Sequence, residues 1–422
     1  MKSLGSLFMG DRVVWAVYFL LCIISLVEVF SAASTLSYRS GSFWDPLIKQ
    51  ALFLTGGTII VLFVHKIPCR LFKAIPILLY PLAFILLLVT SITGDVTNGA
   101  RRWYDFFGIP FQPSELGKGA VVIAVALILS RMQTEAGASK YAFRNILYCT
   151  LPICGLIFTE NLSTACLLFG VVVLMMFIGR VSLIQIGKLL GVIVLLGMMG
   201  ISLIIGIGSN SELSEVPGLH RLGTWSSRIE SHFGEDNEAV KNDPSLFDID
   251  ADAQVAHANI AIASSGIVGK MPGNSVERDF LSQAFSDFIY AIIIEELGLI
   301  GAAFVAFLYI VLLFRAGRIA SRCERSFPPL LAMGLTLLIV SQAVLNMMVA
   351  VGLFPVTGQP LPLISRGGTS TLINCIYIGM ILSVSRYARQ VSQPQHTQFD
   401  GSMEHIRHEE DKGATDYIPQ AN

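Results

Sequence analysis

Long apolar runs, rather than the spaced stripe of a soluble core, dominate the hydropathy pattern of this chain. They fall near 13–33, 47–65, 72–92, 117–132, 145–159, 162–179, 185–207, 287–315, 327–351 and 367–385. Each approaches the roughly 20 apolar residues that a helix needs to cross the hydrocarbon layer. The pattern predicts an all-α polytopic membrane protein with about ten transmembrane helices, a single bundle over 1–389 rather than separable domains. The seventh and eighth runs are separated by a polar stretch of about 208–286, expected to be a large extracytoplasmic loop. Within it, "ANIAIASSGIVG" is apolar and Gly-rich and is a candidate to re-enter the membrane. From 390 to 422 apolar residues are few, and a disordered cytoplasmic tail is expected.

Two stretches interrupt the pattern with helix-breaking residues. "FQPSELGK" puts Pro113 and Glu115 where a helix starts, with proline in the first turn and an acid near the positive end. Glu115 and Lys118, three apart, can pair on one face. "VGLFPVTGQPLPLISRGGTST" cannot be a continuous helix. Irregular backbone at membrane depth survives only under a cover of protein or water, so a re-entrant loop lining a cavity is predicted there. The first run ends in "VFSAASTLS", which suits either a cleavage site or a close-packing helix face; the second fits its length better.

Composition sharpens this. The chain is 53% hydrophobic and 14% charged, whereas soluble domains carry about a quarter charged residues. A soluble enzyme is excluded, and a net charge of −1 offers nothing to nucleic acid. The cations are unevenly placed. Lys66, Arg70 and Lys73; Arg131, Lys140 and Arg144; Arg180 and Lys188; and Arg315, Arg318, Arg322 and Arg325 fall on one side of an alternating topology. Both chain ends fall there too, so both termini are expected to be cytoplasmic, which requires an even number of spans. The seven cysteines are scattered without a CxxC pair, which suggests packing rather than zinc or disulfides.

Candidate chemistry gathers on the opposite side. Asp287 stands where the long loop enters the eighth run, and Glu295 and Glu296 follow inside it. On a continuous helix these two would lie roughly 12–13 Å deeper, Glu295 turned about 80° from Asp287 and Glu296 on the far side. They are therefore expected to brace a polar network within the bundle, while Asp287 is the catalytic candidate. Arg101 and Arg102 sit beside Trp103 and Tyr104, an arrangement for an interface anchor or a phosphate clamp. Lys118, Arg221, Arg278, Ser365 and Arg366 complete the candidate substrate-binding set.

The blocks "NGARRW", "FQPSELGK", "GNSVERDFLSQAFSDFIYAIIIEELG" and "GLFPVTGQPLPLISRGGTS" resemble the signature blocks of the SEDS family (shape, elongation, division and sporulation). The resemblance implies a ten-span peptidoglycan glycosyltransferase of the bacterial inner membrane. Such an enzyme polymerises lipid II on its outer face, beside a class B penicillin-binding protein transpeptidase. The family's essential aspartate falls on Asp287, as general base or as ligand of a divalent metal, Mg or Mn. The division-type (FtsW) members are the nearer match than the elongation-type (RodA) ones, which implies a septal location and other division proteins as partners. The chain departs from the family pattern at Glu160, Asn161, Gln283, Phe285 and Arg366. Intramembrane acids and a broken helix also suit a lipid II flippase, the principal alternative. A non-catalytic scaffold is a third.

Overall fold

The computed structural model describes residues 8–31, 44–97, 100–106, 109–135, 137–207, 253–281 and 285–392. Its helices are α1 (Arg12–Ser31), α2 (Asp45–Val64), α3 (Ile75–Thr93), α4 (Pro113–Arg131), α5 (Lys140–Glu160), α6 (Leu162–Ile178), α7 (Leu183–Ile207), α8 (Ala253–Ser265), α9 (Ile289–Ala320), α10 (Phe327–Ala350) and α11 (Thr369–Ser392). All but α8 coincide with the ten apolar runs. Among the described residues nine helical segments are long and apolar enough to cross a membrane, and α6, with 17 residues, is slightly shorter. α8 is the stretch singled out as a re-entrant candidate. Its 13 residues rise only about 20 Å, too short to cross, and it packs against α9.

Local chemistry sets several boundaries. Pro113 opens α4, with Glu115 in its first turn. A single residue separates α5 from α6: Asn161 leaves the helical region at φ −151°, ψ 87°. Its Oδ1 accepts the Thr164 N–H at 3.2 Å, satisfying one of the orphan donors at the start of a helix. That cap lets two spans meet with almost no loop.

α4 and α11 are enclosed along most of their length, with α3, α5, α6 and α10 packed around α4. α7 is the reverse: Leu183, Ile184 and Leu195 stand 66, 70 and 62% exposed, an apolar surface suited to lipid. α1 begins and α11 ends at the same end of the bundle, where Arg315 Nε of α9 donates to Asp11 Oδ1 at 3.2 Å. Asp287 lies at the other end.

The helical class stands with two additions among the described residues, a short antiparallel pairing of Gln133–Thr134 with Gly137–Ala138 and a three-stranded sheet. Asp95–Thr97 (β1), Ala100–Phe106 (β2) and Ile109–Phe111 (β3) form an antiparallel sheet, with Val96 opposite Arg101 and Tyr104 opposite Phe111. The sequence carried a signal for it. Asn98-Gly99, a common hairpin dipeptide, precedes an aromatic-rich segment of high strand propensity.

The larger correction concerns α9, which is not one continuous helix. Gly298 sits at φ 69°, ψ −174° and divides it. Tyr290 Oη donates to the Ala302 carbonyl at 3.1 Å. Twelve residues of straight helix would separate those two by about 18 Å. The nine-residue half 289–297 therefore folds back along the spanning half 299–320. A Cβ at Gly298 would lie 2.3 Å from the Ile267 carbonyl oxygen, so the turn rests directly on the backbone of the preceding connection. Asp287 itself lies before the first helical residue. Hence Glu295 and Glu296 do not lie deeper than Asp287 along one helix. They sit at the turn, against residues 270–278.

Candidate functional site

The folded-back half of α9 is buried from Phe288 through Glu296, so it is held by protein on every side. At its start stands Asp287, half-buried, its Oδ1 accepting a hydrogen bond from Ser286 Oγ at 2.8 Å. Three bonds hold the backbone of 285–287. Asn346 Nδ2 of α10 donates to the Asp287 carbonyl at 2.8 Å. Ser365 Oγ donates to the Ser286 carbonyl at 2.7 Å. The Arg366 N–H donates to the Phe285 carbonyl at 2.9 Å. Ser365 also accepts the Leu361 N–H at 2.7 Å, which tightens its own loop.

The irregular stretch predicted at 352–366 is present, and 359 and 361–365 are buried. α10 supplies the bonds a helix would have made internally. Asn346 Nδ2 donates a second time, to the Gln359 carbonyl at 2.7 Å. Gln342 Nε2 donates to the Pro360 carbonyl at 3.2 Å. Gln342 Oε1 in turn accepts from Lys118 Nζ at 2.8 Å. Lys118 pairs with Glu115 Oε1, also at 2.8 Å. A polar chain thus runs from Glu115 through Lys118 and α10 to the backbone of Asp287.

The sequence-predicted residues separate into groups. Asp287, Ser365 and the backbone of Arg366 meet, and the Arg366 side chain is exposed beside them. Lys118 is 0% exposed and bound to Glu115 and Gln342, so no substrate reaches it in this state. Arg278 is 8% exposed. Its Nη1 donates to the Ser31 carbonyl at 2.7 Å and approaches Glu296 Oε1 at 3.4 Å. That guanidinium serves a buried carboxylate rather than an open phosphate site. Glu296 also accepts from Ser31 Oγ, and Glu295 accepts from Lys270 Nζ at 2.7 Å and from Ser275 Oγ. Arg101 and Arg102 lie on β2, with side chains outside the described structure. Arg221 and Gln283 lie outside the described residues. Sequence reading missed Gln342, Asn346 and Gln359. The first two are polar, four apart on one face of an otherwise apolar run, and that spacing was the available signal.

The described residues contain no group of three or more His, Cys, Asp or Glu side chains placed to hold a metal. Asp287 contributes one carboxylate. A hard divalent cation is commonly held by one or two carboxylates together with substrate phosphates and water, so this donor suffices only when substrate supplies the rest.

These features define a multi-pass membrane protein whose irregular segments present a carboxylate at one end of a helical bundle. The family model of the FtsW, RodA and SpoVE cell cycle proteins matches residues 11–390, and the chain belongs to that family. It is 31% identical over 390 residues to the probable peptidoglycan glycosyltransferase FtsW of Halomonas elongata, covering 89% of this chain and 90% of that one. It is 28% identical over 391 residues to stage V sporulation protein E of Bacillus subtilis, covering 90% and 98%. Among solved structures, a chain from a study of polymerization and crosslinking by a peptidoglycan synthase complex superposes with TM-score 0.63 at 23% identity, covering 90% and 99%. The rod shape determining protein RodA of Thermus thermophilus superposes with TM-score 0.59 at 21% identity, covering 89% and 97%.

Proposed function

We infer that the chain is a peptidoglycan glycosyltransferase that polymerises lipid II at the outer face of the bacterial inner membrane, with Asp287 as general base. Family membership and the name of the Halomonas relative support the activity. The observation that carries the residue assignment is the clamp on the backbone, Asn346 on the Asp287 carbonyl and Ser365 on that of Ser286, which sets the position of a half-buried carboxylate. In the reaction, the acceptor N-acetylglucosamine 4-hydroxyl attacks the anomeric carbon of the donor N-acetylmuramic acid. The anomeric C–O bond to phosphate breaks, undecaprenyl diphosphate departs with the electron pair, and Asp287 takes the hydroxyl proton. General-base assistance of this kind is typically worth about 10²–10⁴-fold. Cationic charge must offset the diphosphate as it leaves. Arg366 is a candidate for that charge: its N–H is bonded to the Phe285 carbonyl, two residues before the aspartate, and its side chain is exposed. Were Asp287 instead a metal ligand, it would help to hold a Mg or Mn ion, which would supply such charge.

The cation-rich end of the bundle, where α1 begins and α11 ends, is assigned to the cytoplasm by the positive-inside rule. A class B penicillin-binding protein is the proposed partner, supported by the likeness to a chain from a peptidoglycan synthase complex. A role in septation is the preferred assignment. Its test is localisation: midcell at constriction supports it, and a lateral-wall distribution replaces it with elongation.

The activity is tested by purifying the protein with its transpeptidase in detergent, adding lipid II, and resolving glycan strands. Detergent abolishes sidedness, so a flippase yields no strands while a polymerase does. Asp287→Asn is expected to abolish the strands with the melting temperature unchanged. A fully active Asp287→Asn protein removes Asp287 from the role of base.

A further inference from the structure

At the end of the bundle opposite Asp287 lies a cavity of ≈ 220 Å³. Its walls come from segments distant in sequence: residues 68–73 after α2, residues 325–328 at the start of α10, and the last turns of α11. Four cations line it, Arg70, Lys73, Arg325 and Arg386, and no carboxylate does. Among the described residues none of the four enters an ion pair. Cations scattered over loops would satisfy the positive-inside rule equally well. Here the fold brings four to one concavity, where they repel one another until an anion enters.

Two of the four are already positioned. Arg386 Nη2 donates to the Lys66 carbonyl at 2.8 Å, and Lys73 Nζ stands 5.5 Å from the centre of the Phe327 ring. Pro68, Phe327 and Pro328 add apolar wall beside the cations, and Ser383, Tyr387 and Gln390 of α11 add polar groups. Leu71, between Arg70 and Lys73, is 57% exposed, and Phe63 at the end of α2 is 70% exposed, so the cavity is flanked by surface suited to lipid.

We propose that this cavity binds a phosphate group, that of an anionic phospholipid headgroup in the leaflet opposite Asp287. Guanidinium groups match phosphate oxygens bidentately, and apolar walls beside them match the glycerol and upper acyl chain. Free phosphate shares the chemistry, but exposed Leu71 and Phe63 favour the lipid.

The test uses the full chain in detergent. Retention of phosphatidylglycerol, phosphatidylcholine and inorganic phosphate is measured by native mass spectrometry and by lipid titration of the melting temperature. Arg70→Gln with Arg325→Gln removes two lining charges that hold no ion pair. Lys188→Gln with Arg322→Gln removes two from the same end outside the cavity. Phosphatidylglycerol is expected to be retained over phosphatidylcholine. Its affinity should fall roughly fivefold per lining charge removed, with little change in the control pair and an unchanged lipid-free melting temperature for both. Equal losses in the two pairs would reduce the effect to diffuse surface charge and overturn the site. Undiminished retention in the lining pair would overturn it too. Complete displacement of the lipid by excess inorganic phosphate would assign the cavity to a soluble phosphate and overturn the lipid.

Discussion

The side-chain nitrogen of Asn346 reaches two carbonyls, that of Asp287 at 2.8 Å and that of Gln359 at 2.7 Å. One amide thus ties the candidate base to the irregular loop across the end of α10. Replacing it by leucine leaves two carbonyls without this donor, at about 1–3 kcal/mol for an unsatisfied buried group. Asn346→Leu is expected to lower the melting temperature and to reduce strand synthesis further than the stability loss alone accounts for. Matched melting and lipid II polymerisation measurements check this. Wild-type activity in Asn346→Leu would detach the clamp from function.

Gly298 is the second point of leverage. Its φ of 69° is left-handed, and an added Cβ would meet the Ile267 carbonyl oxygen at 2.3 Å and Gly269 N at 2.5 Å. Both obstacles are backbone, so neither rotates away. Gly298→Ala is expected to destabilise by more than about 1 kcal/mol. Gly317→Ala, in an open stretch of α9 with nothing within 4 Å, should be neutral or stabilising by up to about 1 kcal/mol. Thermal unfolding of the two variants side by side decides it.

The Glu115–Lys118 pair is closed to solvent, with side chains 2% and 0% exposed. Removing one partner leaves a buried charge uncompensated, a loss of about 3–5 kcal/mol. Lys118→Met is expected to express poorly or melt far lower. Adding Glu115→Gln to it should recover most of that loss, because a neutral pair needs no counter-charge. A double variant no more stable than Lys118→Met would contradict this account.

Asp11 offers a pH test. Burial pulls its carboxyl up, but the bond from Arg315, the N–H groups of Val14 and Val13 and the guanidinium charge outweigh it and hold it below the ordinary carboxylate range. A carboxyl lowered in the folded state adds stability above its unfolded pKa, about 3.9. That stability is lost as pH falls through the folded value. Wild type should therefore lose melting temperature more steeply than Asp11→Asn below about pH 4. Parallel slopes for the two proteins would remove the Asp11–Arg315 pair from the acid response.

Single residues mark how far the chain could be read without its fold. Pro113 announced the start of α4, and "TENLST" marked the junction at which Asn161 now caps α6. Asp287 stood out as an acid at the mouth of an apolar run. The same run misled about Glu295 and Glu296, because hydropathy does not register a reversal of direction at one glycine. Gly298 looks like any small residue in a membrane helix until residues 267–269 are seen to lie against it. Arg278 looked available for phosphate because, apart from the adjacent Asp279, its guanidinium partners are distant along the chain. Ser31, which takes its guanidinium, is 247 positions away.

Sequence alone determined the ten apolar segments, their helical class, the asymmetry of charge between the two ends, and the motif blocks around Asp287. These follow from composition and spacing within about 20 residues, the length over which a helix meets lipid. Only the tertiary structure decided that 289–297 folds back, that Glu295 and Glu296 face the connection before Asp287, that Asn346 clamps the aspartate, and that four cations share one cavity. The physical reason is that buried polar groups must find partners wherever packing brings them. Which donor meets which acceptor across the bundle depends on how helices far apart in the chain come to lie side by side.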